Sequence, residues 1–161
     1  MQELFHSSLG ILLSPENVVR EMIAFMRADD KRRYKITIGT DSELGADKTA
    51  DFVTAIVIHR VGNGGRYFWR RVEISQKFHT LRDRMVQEVL TSLEVARGFL
   101  ETTKQFPDIP SFDFEIHVDV GERGETKVMI QELVGMIRAH NFEAKTKPYS
   151  YAASNVADKH V

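Results

Sequence analysis

Residues 34–74 read YKITIGTDSELGADKTADFVTAIVIHRVGNGGRYFWRRVEI, and the fold depends on how that run divides. Tyr34 to Thr40 alternates well enough for a strand, and Asp41-Ser42 supplies turn-forming residues that would end it. Asp51 to Arg60 is rich in β-branched residues and predicts a second strand; Arg66 to Ile74 predicts a third. Gly62-Asn63-Gly64-Gly65 between these two is the composition of a tight reversal, so they form a hairpin.

Downstream the period changes. From Leu81 to about Lys104 the apolar residues Met85, Val89, Leu93, Ala96 and Leu100 recur at helical spacing, and Pro107 and Pro110 stop the run. Phe112 to Val120 (FDFEIHVDV) reads as another strand closed by Gly121. Thr126 to His140 reads as a helix with Val128, Ile130, Leu133, Val134 and Ile137 inward, Phe142 to Lys147 as a short strand, and Ser154 to Val161 as the start of a last helix.

Upstream, Ser14-Pro15-Glu16 is a helix start: an N-cap serine, proline at the first helical position and an acid in the first turn. Val18, Val19, Met22, Ile23, Phe25 and Met26 mark its apolar face, which ends near Asp29-Asp30. The expected organisation is an N-terminal helical extension over residues 1–33 packed on one α/β domain over residues 34–161. That domain has the order β-β-β-α-β-α-β-α, which implies a mixed sheet with its first strand central and helices on its faces.

A chain of 161 residues can bury a core as a single domain, and 42% apolar with 28% charged residues is far from the composition of disorder. The absence of cysteine excludes disulfides, thiolate zinc sites and cysteine nucleophiles, so any metal must be held by oxygen or imidazole. The opening MQELFHSSLGILL lacks a basic n-region, and no segment approaches the roughly 20 apolar residues of a membrane span; a cytoplasmic location is the default expectation. A formal net charge of −1 argues against a dedicated high-affinity polyanion binder. It leaves room for a nuclease, because bound divalent cations add positive charge where phosphate sits.

Three stretches carry a resemblance: ITIGTDSE (36–43), IHVDVGERG (116–124) and KPYSYAASNVADKH (147–160). Together with the element order they resemble the YkuK-like family of ribonuclease-H-like proteins, from roughly Ile36 to the C-terminus. The resemblance implies a ribonuclease-H-like fold. It also implies an acidic site of Asp41, Glu88, Asp119 and Asp158, the last presented by the Asn155-Val156-Ala157-Asp158 run on a closing helix.

Such a set suits phosphodiester hydrolysis. The reaction needs a hydroxide nucleophile and neutralisation of charge on the attacking and leaving oxygens, which two divalent cations about 3.5–4 Å apart provide. Mg²⁺ or Mn²⁺ prefer oxygen ligands, so carboxylates on separate elements form the expected cage. Asp41, at the end of the central strand, is assigned the bridging role; its alternative is a turn cap. Asp119 shares a strand face with His117, which reads as a structural hydrogen bonder rather than a ligand. The helical carboxylate is Glu88, flanking the apolar stripe, in preference to the more outward Glu94. Asp158 has the alternative of a surface residue on a terminal helix, and His160 beside it that of a proton carrier or an ordinary exposed residue.

Arg66, Arg70 and Arg71 surround Phe68-Trp69 and offer a backbone and a base contact, but strand alternation puts Arg66, Phe68 and Arg70 on one face and Trp69 with Arg71 on the other. Lys31, Arg32, Arg33, Lys145 and Lys147 read as solvated charge. The glycine cluster at 62–65 is followed by a strand and no Gly-Lys-Ser/Thr, so it is no phosphate loop, and Ser42 lies on no nucleophile elbow. The expectation is a metal-dependent nuclease. The alternatives are a non-catalytic ribonuclease-H-like domain binding nucleic acid or a protein, and a hydrolase of small phosphoesters; DNA against RNA and the oligomeric state stay open.

Overall fold

The structure is a computed structural model that describes residues 3–161. A seven-stranded mixed sheet runs in the order β2-β1-β5-β4-β3-β6-β7. Its strands are β1 (Phe5–Ser7), β2 (Leu12–Leu13), β3 (Tyr34–Leu44), β4 (Ala50–Arg60), β5 (Gly65–Ile74), β6 (Asp113–His117) and β7 (Glu143–Lys145). The helices are α1 (Pro15–Arg27), α2 (Leu81–Thr103), α3 (Ile130–Ala139) and a terminal π-helix (Ala152–Ala157) that continues as α4 (Asp158–His160). After residue 34 the order is the expected one, and β3 is interior, antiparallel to β4 and parallel to β6. The α/β, ribonuclease-H-like architecture is therefore present. No helix among the described residues is long and apolar enough to cross a membrane.

Several boundaries differ from the expectation. Asp41-Ser42 does not end β3, which runs on to Leu44 with Asp41 opposite Val53 and Ser42 opposite Phe52. Pairing with a long β4 overrides the turn propensity of Asp and Ser. The strand expected over 112–120 closes at His117. The helix expected from Thr126 opens as a 3₁₀ turn (Glu125–Met129), which rotates Val128 outward to 89% exposure instead of inward. The chain before residue 14 contributes β1 and β2, too short for periodicity to reveal.

Alternation divides β3 between two surfaces. Ile36 and Ile38 join Ile56, Ile58 and Phe68 in the main core, under α1 (Val18, Val19, Met22, Met26), α2 (Val89, Leu93, Ala96) and α3 (Leu133, Ile137). The N-cap bonds start the two longer helices: Ser14 Oγ accepts from Asn17 N–H at 3.2 Å and Thr80 Oγ1 from Asp83 N–H at 3.0 Å. A buried hydroxyl group of three, Thr40 with Thr54 at 2.8 Å and with Ser92 at 2.7 Å, fixes α2 in rotation on the sheet and so aims Glu88, one turn earlier.

The opposite surface, with Thr37, Gly39 and Asp41 beside Val53, Ala55 and Val57, is covered by the terminal π-helix. That helix crosses β3 at Gly39. A Cβ there would lie 2.4 Å from Ala153 N and 2.7 Å from Ala152 C, both backbone atoms. A glycine within a β-branched strand is what so close a backbone approach demands. Gly39→Ala is expected to cost about 1–3 kcal/mol in a urea melt, and Ala153→Gly should not rescue it, because the clash is with main chain. Equal stability of Gly39→Ala and wild type would contradict this packing.

Candidate metal centre

Asp41 is set inside β3 on the surface that meets the terminal helix, where its carboxyl faces that of Asp158 at the start of α4. Burial, first, then the neighbouring Asp158 carboxyl and the charge of Asp119 raise the Asp41 pKa to about 7, so that Asp41 holds a proton more tightly than a free carboxylate does.

Glu88 reaches the same end of β3 from α2, and at 3% exposure it is a buried carboxylate. Ser42 Oγ donates to its Oε1 at 2.5 Å. Arg84, one turn earlier on α2, donates to Ser42 O at 2.9 Å and lies 3.1 Å from Ser42 Oγ, so the serine is held from both sides. The other oxygen, Oε2, is buried with no hydrogen-bond partner among the described residues. Burial raises the Glu88 pKa well above the carboxylate range, and the charges of Asp41 and Asp119 add to it, while Ser42 and Arg84 act the other way. Glu94, the other helical candidate, is exposed and lines a cleft with Phe5 and Arg70.

Asp119 follows the end of β6. Its position is fixed by continued pairing beyond β6 and β7, with Val118 N–H bonded to Lys145 O at 2.9 Å and Lys147 N–H to Val120 O at 2.7 Å. Ser154 Oγ of the terminal helix donates to Asp119 Oδ1 at 2.6 Å, and Lys147 Nζ lies 3.2 Å from the same oxygen. His117, expected to be structural, is fully enclosed. Its Nδ1 accepts from Ala152 N–H at 3.0 Å, which leaves the proton on Nε2 to donate to Glu115 Oε1 at 2.8 Å. Burial lowers its pKa and keeps the ring neutral. His117 and Asp119 thus both grip the terminal helix, which brings Asp158 to Asp41.

Asp41 lies within electrostatic reach of Asp119 and Asp158, and Glu88 within reach of Asp41 and Asp119, so that the four carboxyl groups stand around one end of β3. Among the described residues, however, no three Asp, Glu or His side chains are gathered closely enough to hold a metal ion. Glu88 is turned to Ser42, and Asp119 to Ser154 and Lys147. The donor chemistry suits a hard cation: four carboxyl groups from separate elements, one of them with a raised pKa, and one buried oxygen without a partner among the described residues. Ser154, Lys147 and Arg84 were not singled out as site residues by sequence reasoning. The signals were spacing, since Ser154 precedes Asp158 by one helical turn and Arg84 precedes Glu88 by one.

The Asp41 shift sets the pH dependence of stability. With a folded pKa near 7 and an unfolded one near 3.9, the folded protein binds the extra proton between these values, so stability is full below about pH 4 and is lost as pH rises through about 7. Asp41→Asn should remove that loss: in metal-free buffer its melting temperature should exceed that of wild type at pH 8 and fall less between pH 5 and pH 8. A variant that is less stable than wild type at pH 8 would contradict the raised Asp41 pKa.

Comparison with known proteins agrees with this architecture. Residues 17–161 match the family described as ribonuclease H-like, a span that includes most of α1. The chain is 32% identical over 165 residues to the uncharacterized protein YkuK of Bacillus subtilis (strain 168), with 97% of this chain and 95% of that protein covered. No solved structure matches the chain. On the strength of the sheet order, the matched span and the relative that is similar over almost its full length, the chain belongs to the ribonuclease H-like family.

Proposed function

We propose that this protein is a metal-dependent nuclease, with Asp41, Glu88, Asp119 and Asp158 holding Mg²⁺ or Mn²⁺ and Asp41 placed to serve two ions. The observation that carries the reading is the buried, unpartnered Oε2 of Glu88 beside two further carboxylates. An unpaired buried carboxylate is costly, and two more acids nearby raise that cost; a cation at this place removes both penalties. Family membership supports nucleic acid as the substrate class.

Bound cations would supply an activated water and neutralise charge on the phosphate. The chain's own contribution lies in holding and releasing ligands. Asp41, which holds its proton up to about pH 7, would have to release it to serve as a ligand. Ser42, fixed by Arg84, orients Glu88 from one side, and Ser154 orients Asp119 from the other. Lys147, next to Asp119, brings a positive charge to the rim, where a phosphate would approach.

A second reading, a non-catalytic domain that binds nucleic acid or a protein through the same scaffold, is favoured by one observation: no three acidic side chains stand close enough for a metal in the arrangement described. Calorimetric titration with Mn²⁺ separates the two. Wild type should bind Mn²⁺ and cleave labelled oligonucleotides. Asp41→Asn and Asp119→Asn should each weaken Mn²⁺ binding at least about tenfold, since even indirect support of a metal ligand is worth that much, and should abolish cleavage. Glu94→Gln should change neither. Absence of Mn²⁺ binding by wild type would leave the non-catalytic reading standing.

A further inference from the structure

We infer that the sheet surface beside Asp158 carries a stacking platform for single-stranded nucleic acid, centred on Trp69. The inference deepens the nuclease reading and rests on it for the position of the phosphate to be cut. Trp69 is the only tryptophan of the chain. Its ring is stacked on His6 at 4.4 Å with a 16° interplanar angle and on His160 at 4.3 Å with 10°, so the indole already carries two parallel neighbours and a base would extend this three-ring stack at His6 or His160. Tyr67, on the same face of β5, lies 5.5 Å from His160, and its hydroxyl is 3.2 Å from His160 Nε2. All four rings are only partly buried.

The neighbouring charges are positive. Lys159 lies over the Tyr67 ring at 5.9 Å, and Arg71 is exposed and donates to the His160 carbonyl. Phe68 and Arg70, which alternate with Tyr67 and Trp69, turn to the other side of the sheet: Phe68 enters the core, and Arg70 lies over Phe5 and pairs with Glu3. Of the cations and aromatics in RYFWRR, this surface keeps Tyr67, Trp69 and Arg71. A partly exposed stack of parallel rings with cations beside it is a means by which proteins hold unpaired bases and the backbone that joins them. In a duplex the base faces are already stacked on one another, so the platform selects single strands.

The position fits the candidate centre. His160 is two residues from Asp158, and β5 lies two strands from β3, roughly 10 Å away at ordinary strand spacing. Lys147 and Tyr149, the latter 70% exposed, lie beyond β3 on the other side. A strand crossing the carboxylates from Trp69 toward Lys147 meets a stacking surface first and a cation last. A net charge of −1 makes such a local surface necessary for polyanion binding.

Because Trp69 is the sole tryptophan, its fluorescence reports the platform directly. The metal-free protein is titrated at low salt with oligothymidylate, oligouridylate and a blunt duplex of equal length. Both single strands should quench the emission saturably, and the duplex should bind at least tenfold more weakly. By anisotropy of a labelled oligothymidylate, Trp69→Leu should weaken binding at least about fivefold. Arg71→Gln and Lys159→Gln should each reduce the slope of log affinity against log salt by about 1. Unchanged wild-type fluorescence, or a duplex bound as tightly as the single strands, overturns the inference even if Trp69→Leu fails to fold. Mn²⁺ binding without any quenching sinks the platform and spares the metal site; quenching without Mn²⁺ binding does the reverse.

Discussion

Backbone contact between β3 and the terminal π-helix at Gly39 is the constraint on which the rest of the site depends. Asp158 belongs to a short helix with little core of its own, and only the descent of Ala152 and Ala153 onto a residue without a side chain brings it over the centre of the sheet. Two polar contacts lock the helix in register there, His117 Nδ1 to the Ala152 N–H and Asp119 to Ser154. The wide π-type winding is a local departure of the sort found at functional sites. Packing thus delivers chemistry: a contact of three backbone atoms sets the spacing of two carboxyl groups.

That arrangement opposes stability. The main core on the far side of the sheet, formed by α1, α2, α3 and the apolar residues of β3 and β4, is closely packed and provides the driving force for folding. The site face uses part of it to hold Glu88, Asp41, Asp119 and Asp158 near each other against their mutual repulsion. The raised pKa of Asp41 and neighbouring polar groups relieve the repulsion: Ser42 on Glu88, Ser154 and Lys147 on Asp119. On the proposed reading, a divalent cation would replace the Asp41 proton, and the same carboxyl groups would serve as its ligands.

Much of this was legible in the primary structure because periodicity reports burial. The switch from alternation in residues 34–74 to helical spacing after Leu81 carries the element order, and the glycine cluster at 62–65 marks the β4–β5 hairpin. Less legible were features decided by tertiary pairing. Asp41-Ser42 looks like a turn until β4 is found to extend past it. Val128 looks inward until the first turn proves to be 3₁₀. The strands Phe5–Ser7 and Leu12–Leu13 are shorter than any period can mark. Gly39 could have been read as a place of close backbone approach, but which segment approaches it lies more than a hundred residues away in the chain, beyond the reach of local pattern. For the site, residue types and order pointed to the four carboxylates; the hydroxyl and lysine partners that now occupy two of them are visible only in three dimensions.

If these acids trap hard cations as proposed, anomalous diffraction from a crystal soaked in Mn²⁺ will reveal the ion. A peak is expected at bonding distance from Asp41, with Glu88 or Asp119 rotated away from Ser42 or Ser154 to meet it. Side chains unchanged, with no anomalous density among the four carboxylates, would contradict the proposal.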